Sequence, residues 1–278
     1  MKTTCIISVD VEGIPIKGRS VDYSTVVSGV PLLLDLFAEF DINSTFFVTS
    51  DAVENTAKVL GEIVKCGHEI GCHSDGSQEY TNLKVATDII SRHLNVAPIG
   101  FRAHRHKINR ETLLSLSKLG YKYDSSIVAS SRLFNREYSP RAPQTPYRPS
   151  LSDICVPGHS SLVEIPISSL PMIKLPLGLS YIKLFGLKLY KLFLSRLKQE
   201  TIVMYLHPYD LFTLPSKVDA PLDFVLAQKG RTNGFKVLMG LLQFVEEKLS
   251  PTYLRARDIL DRNELVSRGG VEPSVSTM

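Results

Sequence analysis

Gly67-His68-Glu69-Ile70-Gly71-Cys72-His73-Ser74-Asp75 is the stretch whose reading decides the fold. Ile70 and Cys72, with Val64 upstream, suit a buried strand, and Gly67 punctuates the helix before it. His73, Ser74 and Asp75 then fall where the strand gives way to a loop. In α/β folds that edge is where chemistry sits. One histidine proves nothing alone, so the question is which groups other strands bring to the same edge.

Upstream, Cys5-Ile6-Ile7-Ser8-Val9 reads as a buried first strand ending at Asp10-Val11-Glu12-Gly13. Asp10 and Glu12 share a face if the strand continues, because side chains alternate. They are either site groups or an Asp turn beside a solvated Glu. A helix follows over Val30–Phe40, with Leu33, Leu36, Phe37 and Phe40 at helical spacing, then a strand at Ser44–Val48. Asp51 is the expected N-cap of a helix reaching Val64, with Glu54 completing a capping box.

Downstream, Leu83–Leu94 is helical, and Gly100-Phe101 leads into a second cluster, Arg102-Ala103-His104-Arg105-His106. A helix over Leu113–Leu119 stops at Gly120, and Tyr121–Ser126 runs from strand to turn. Ser130–Pro157, with four closely spaced prolines, reads as a long irregular excursion. Leu162–Pro166 returns to strand, Leu177–Lys198 is helical, and Thr201–Leu206 is a buried strand ending at His207-Pro208. A helix over Gly234–Leu249, a strand at Tyr253-Leu254 and a short helix at Ile259 close the pattern. Alternating strands and helices predict a parallel sheet or barrel with an outer helical layer. One domain over 1–261 is expected, with 262–278 a disordered tail.

Composition sets limits. The chain has 278 residues, 44% hydrophobic and 22% charged, with net charge +4. No basic run is interleaved with aromatics, so nucleic acid is not expected as a partner. Cys5, Cys66, Cys72 and Cys155 form no CxxC pair and fit a reducing compartment. The start of the chain shows no secretory-signal pattern, and no run of about 18 uncharged apolar residues occurs. The expected location is therefore cytoplasmic.

Taken in order, Ser8–Glu12, Ser44–Val48, Gly67–Ser74, Gly100–Ala103, Gly120–Ser126 and Leu206-His207-Pro208 resemble the polysaccharide deacetylase family, the NodB-homology or carbohydrate esterase 4 group. The resemblance covers roughly Thr4 to Asp258 and implies a distorted (β/α) barrel. It also implies a hydrolase that removes acetyl groups from amino sugars with a bound divalent metal, commonly zinc. By resemblance, Asp10 is the general base, Arg102 its partner and His207 the general acid. Glu12 takes the carboxylate ligand position and His73 the first histidine position. His104 and Leu206 are expected to contact the substrate.

The family's second metal histidine falls at Ser77, a poor ligand, and its usual proline after Arg-Ala is His104. Asp75 or His104 could supply a substitute ligand. Two alternatives follow: a relative that binds glycan without cleaving it, and a metal-independent hydrolase of non-sugar amides. Lys174–Lys198 holds five Lys, one Arg and no acid among Leu, Ile, Phe and Tyr. It reads as an outer barrel helix or as a peripheral membrane contact with Lys183, Lys191 and Lys198 on its polar side.

Overall fold

The computed structural model describes residues 3–16, 20–74, 76–133, 135–197, 200–213 and 233–261. Asp75, Lys198 and the expected tail over 262–278 lie outside them. Strand β1 (Thr4–Val11) is buried along its whole length, and its two faces do different work. Cys5, Ile7, Val9 and Val11 pack in the apolar layer under the helices. Ile6 belongs to a separate interior cluster, and the same inner face carries Ser8 and Asp10. The period of two therefore sends the acid pair inward.

All the other strands run parallel to β1. They are β2 (Thr45–Val48), β3 (Glu69–His73), β4 (Gly100–Arg102), β5 (Tyr123–Asp124), β6 (Val163–Glu164), β7 (Thr201–Leu206) and β8 (Thr252–Tyr253). The order is β6-β5-β4-β3-β2-β1-β7, with β8 paired to the first residues of β1. Irregular chain bridges β6 to β7: the Ser168 N–H donates to the Val203 carbonyl at 3.0 Å and the Tyr205 N–H to the Leu177 carbonyl at 3.1 Å. The curled sheet with its outer helices is a distorted (β/α) barrel of the NodB type, in a single domain.

Among the described residues the helices are α1 (Ser24–Glu39), α2 (Ser50–Lys65), α3 (Tyr80–Leu94), α4 (Arg110–Lys118), α5 (Leu179–Phe185), α6 (Leu187–Leu194) and α7 (Gly234–Leu249). Three depart from expectation. α1 starts a turn and a half early and carries Pro31 inside it, because Val26 and Val30 extend its buried face. The N-cap of α2 is Thr49, whose hydroxyl accepts from the Ala52 N–H, while Asp51 sits in the first turn. The helix expected over 177–198 is broken at Gly186, whose φ of 90° ends α5.

Lys183, expected on a solvated basic face, is only 5% exposed. Its ammonium donates to the Asp210 carbonyl at 2.8 Å and the Phe212 carbonyl at 3.3 Å. The membrane-facing side drawn for 174–198 therefore loses its central cation to the core. No helix of the described residues is long and apolar enough to cross a membrane.

The N-terminal end of the barrel is filled. Glu69, 1% exposed, accepts from Thr45 Oγ1 at 2.8 Å and from the Arg257 N–H at 3.0 Å. The Ala256 N–H donates to Thr45 Oγ1, and Ala256 and Ile259 pack into the interior cluster beside Ile6. The opposite, C-terminal end receives Asp10, His73, Arg102 and His207.

Candidate active site

Arg102 is fully buried at the end of β4 and organises this end of the barrel. Register pairs it with His73 on β3, so both side chains face inward. Its Nη1 donates to Asp10 Oδ1 at 2.6 Å and to Ser8 Oγ at 2.8 Å. Its Nε and Nη2 donate to the Ser125 carbonyl and hydroxyl, each at 2.8 Å, and the guanidinium stacks 4.3 Å over Phe47. A buried cation held this way needs a counter-charge, and Asp10 supplies it. Burial alone would raise the Asp10 carboxyl. Arg102, with His73 and His207 behind it, holds it below the usual range instead.

Two residues on, Glu12 lies among three imidazoles. His104 Nδ1 is 3.1 Å and His73 Nε2 3.6 Å from its Oε2, and His207 Nε2 is 3.7 Å from its Oε1. Tyr209 donates to Oε1 at 3.3 Å. Against its own burial, His104 and His73 hold the Glu12 carboxyl well below its usual range. His73 sits 2.8 Å through Nδ1 from the Arg102 carbonyl, an acceptor, so Nδ1 carries a hydrogen and Nε2 is the nitrogen turned toward Glu12. Ligand atoms of Glu12, His73 and His104 all lie within 4.8 Å of one another, a set that could hold a metal ion.

His207 follows β7 on the far side. Its backbone N–H donates to Asp210 Oδ2 at 2.9 Å, and its Nδ1 lies 3.3 Å from the same oxygen. Tyr209 stacks on the ring at 4.3 Å, nearly parallel. Burial opposes a charge on His207, but Asp210, Glu12 and Asp10 together raise its basicity. Asp210 is itself fixed by the Ser180 hydroxyl and, through its carbonyl, by Lys183.

The expected site residues Asp10, Glu12, His73, Arg102, His104 and His207 thus converge. Leu206 does not face them. It pairs with Val9 and lies fully buried in the layer under the helices. Ser77 is exposed, and its hydroxyl accepts from Asn82. Asp210 and Tyr209 were not singled out from sequence. For Asp210 a signal existed, an acid three residues after a strand-end histidine, which is the spacing of a turn cap. His106 is buried through a turn in which Arg105 and His106 both take positive φ, and it packs edge-on against Tyr205 and Tyr138. Burial pushes its imidazole down to about 3, so it is neutral. Below Arg102, Asp124 and Glu164 are register partners on β5 and β6, both fully buried.

This geometry can be set beside known proteins. Residues 20–123 match the polysaccharide deacetylase family model. His73, Arg102 and His104 fall inside the matched segment; Asp10, Glu12 and His207 lie outside it. A curated peptidoglycan deacetylase from Helicobacter pylori is 29% identical over 109 residues, 36% of this chain and 37% of that protein. The chain thus spans little more than a third of the curated relative it matches. Among solved structures, a Mycobacterium smegmatis protein described as a candidate polysaccharide deacetylase superposes with a TM-score of 0.62 at 18% identity, over 99% of this chain and 96% of that one. A PuuE allantoinase superposes with a TM-score of 0.57 at 14% identity, over 93% and 89%. These structural likenesses show the fold.

Proposed function

We propose that the chain is a hydrolase that removes the N-acetyl group from an amino sugar in a polysaccharide or glycan precursor. The observation that carries this reading is one barrel mouth lined by three distinct devices. They are the Asp10–Arg102 pair, the Glu12–His73–His104 cluster and the His207–Asp210 pair. A carboxylate and two imidazoles are a donor set suited to catalytic zinc, which needs three protein ligands and an open position. His104 completes the set that Ser77 leaves short. Held there, the ion would supply Lewis-acid polarisation of the acetyl carbonyl.

The residues do the proton work. Asp10, kept ionised by Arg102, takes a proton from the water that attacks the acetyl carbon. The C–N bond then breaks, releasing acetate. His207, oriented by Asp210 through Nδ1, gives a proton from Nε2 to the departing amine. Arg102 fixes the base in place and keeps its charge. Ser77 favours a binding-only relative, but such a protein has no need of a paired base and a paired acid at opposite strand ends. The four free cysteines support placement in the cytoplasm.

The test is acetate release from N-acetylglucosamine oligomers, with and without added zinc, alongside metal analysis of the purified protein. Asp10→Asn should lower the rate by on the order of 10² or more. His104→Ala should strip the zinc. Full activity in the Asp10 variant would remove the base assignment, and unchanged zinc content in the His104 variant would remove the ligand assignment.

A further inference from the structure

Two loops beside the mouth carry large apolar side chains that nothing among the described residues covers. Leu133 is 92% exposed, Met172 86% and Ile173 38%. They are not scattered. The Ser131 N–H and the Ser130 hydroxyl both donate to the Lys174 carbonyl, so the two loops are stitched together. Asn135 Nδ2 donates to the Arg105 carbonyl at 3.2 Å, which ties the first loop to the turn between His104 and His106. The second loop is a tight hairpin: the Leu170 N–H donates to the Leu175 carbonyl at 2.8 Å, and Ser169 pairs with Pro176. Met172 and Lys174 at its tip hold φ of 63° and 51°, a left-handed backbone that side-chain-bearing residues adopt at a cost.

Segments 104–106, 130–137 and 171–174 also carry Arg105, Arg132, Arg136 and Lys174 against one acid, Glu137. Projecting apolar tips in a cationic surround match the headgroup boundary of an anionic bilayer. A protein partner calls instead for a contiguous apolar patch with few charges at its centre. We propose that these two tips dock on an anionic lipid surface and seat the barrel mouth against it. The substrate class is then an acetylated amino sugar carried on a lipid, a conclusion that rests on the deacetylase reading above.

Vesicle co-sedimentation tests the docking without turnover, so its outcome stands apart from whether the chain deacetylates. The full chain should sediment with phosphatidylglycerol-containing vesicles at low salt, less at high salt and little with phosphatidylcholine alone. Leu133→Ser with Met172→Ser should weaken binding at least tenfold while melting like the wild type. A control pair on α6, Lys188→Glu with Leu192→Ser, should bind as before. Wild-type protein left in the supernatant overturns the docking, as does a loop variant that still binds or a loss confined to the α6 variant. Deacetylation of lipid-carried and soluble acetylated amino sugars then tests the substrate class. The loop variant should lose at least tenfold more rate on the lipid-carried one, and equal losses overturn that part.

Discussion

Arg102 shows how much of the site's behaviour rests in one side chain. Its planar fork reaches Asp10 and Ser8 on one side and Ser125 on the other. An ammonium is a point charge and cannot span both. Arg102→Lys should therefore lower kcat/KM by about 10² while leaving a folded protein. Because Arg102 holds the Asp10 carboxyl down, weakening the pair raises it. The acidic limb of the pH–rate profile should accordingly move to higher pH. An unmoved limb would mean that the limb belongs to another group. The Asp10 and Glu12 pairing was legible in sequence, since alternation along a strand needs only their spacing. His104 was legible only as one of two substitute ligands, because its approach to Glu12 goes with a backbone N–H held by the Ser74 hydroxyl, which no periodicity announces. Lys183 misled for a related reason. A lysine in a basic, Leu-rich helix reads as solvated, and only the neighbouring Asp210 and Phe212 carbonyls explain its burial.

At the scale of elements, close packing inside the short strands does the positioning. Gly100 precedes Arg102 on the same inner face of β4, and a Cβ there would stand 2.0 Å from Tyr123. Tyr123 is fully buried and cannot step aside freely. Gly100→Ala should cost about 1–3 kcal/mol in denaturant unfolding, with activity falling further than stability because β4 carries Arg102. A neutral substitution would show that Tyr123 has room to move. The long elements β1, β7 and α3 were readable from apolar spacing alone. The two-residue strands β5 and β6 were harder to bound, because most of what holds them is pairing with distant chain. The break at Gly186 was hidden because apolar spacing continues through it on both sides.

Over the whole molecule, the buried pair Asp124–Glu164 links folding to pH. Burial and the facing Asp124 push the Glu164 carboxyl well above its ordinary 4.5, so the folded protein holds this proton to higher pH than the unfolded chain does. Folding then takes up a proton. The stability this contributes is full below about pH 4.5 and is lost as pH rises through the raised value. Glu164→Gln keeps a neutral donor toward Asp124 and an acceptor for the Ile127 N–H. Denaturant unfolding should show the variant gaining on the wild type as pH rises, with the difference vanishing in acid. A constant difference across pH would place the proton elsewhere. The parallel barrel itself was legible from strand–helix alternation; its closure by irregular chain between β6 and β7 was not. The packing of Glu69, Thr45, Ala256 and Ile259 at the N-terminal end has a consequence for traffic. The barrel is a vessel with a floor, so under the proposed deacetylation acetate would leave by the same opening that admits the sugar.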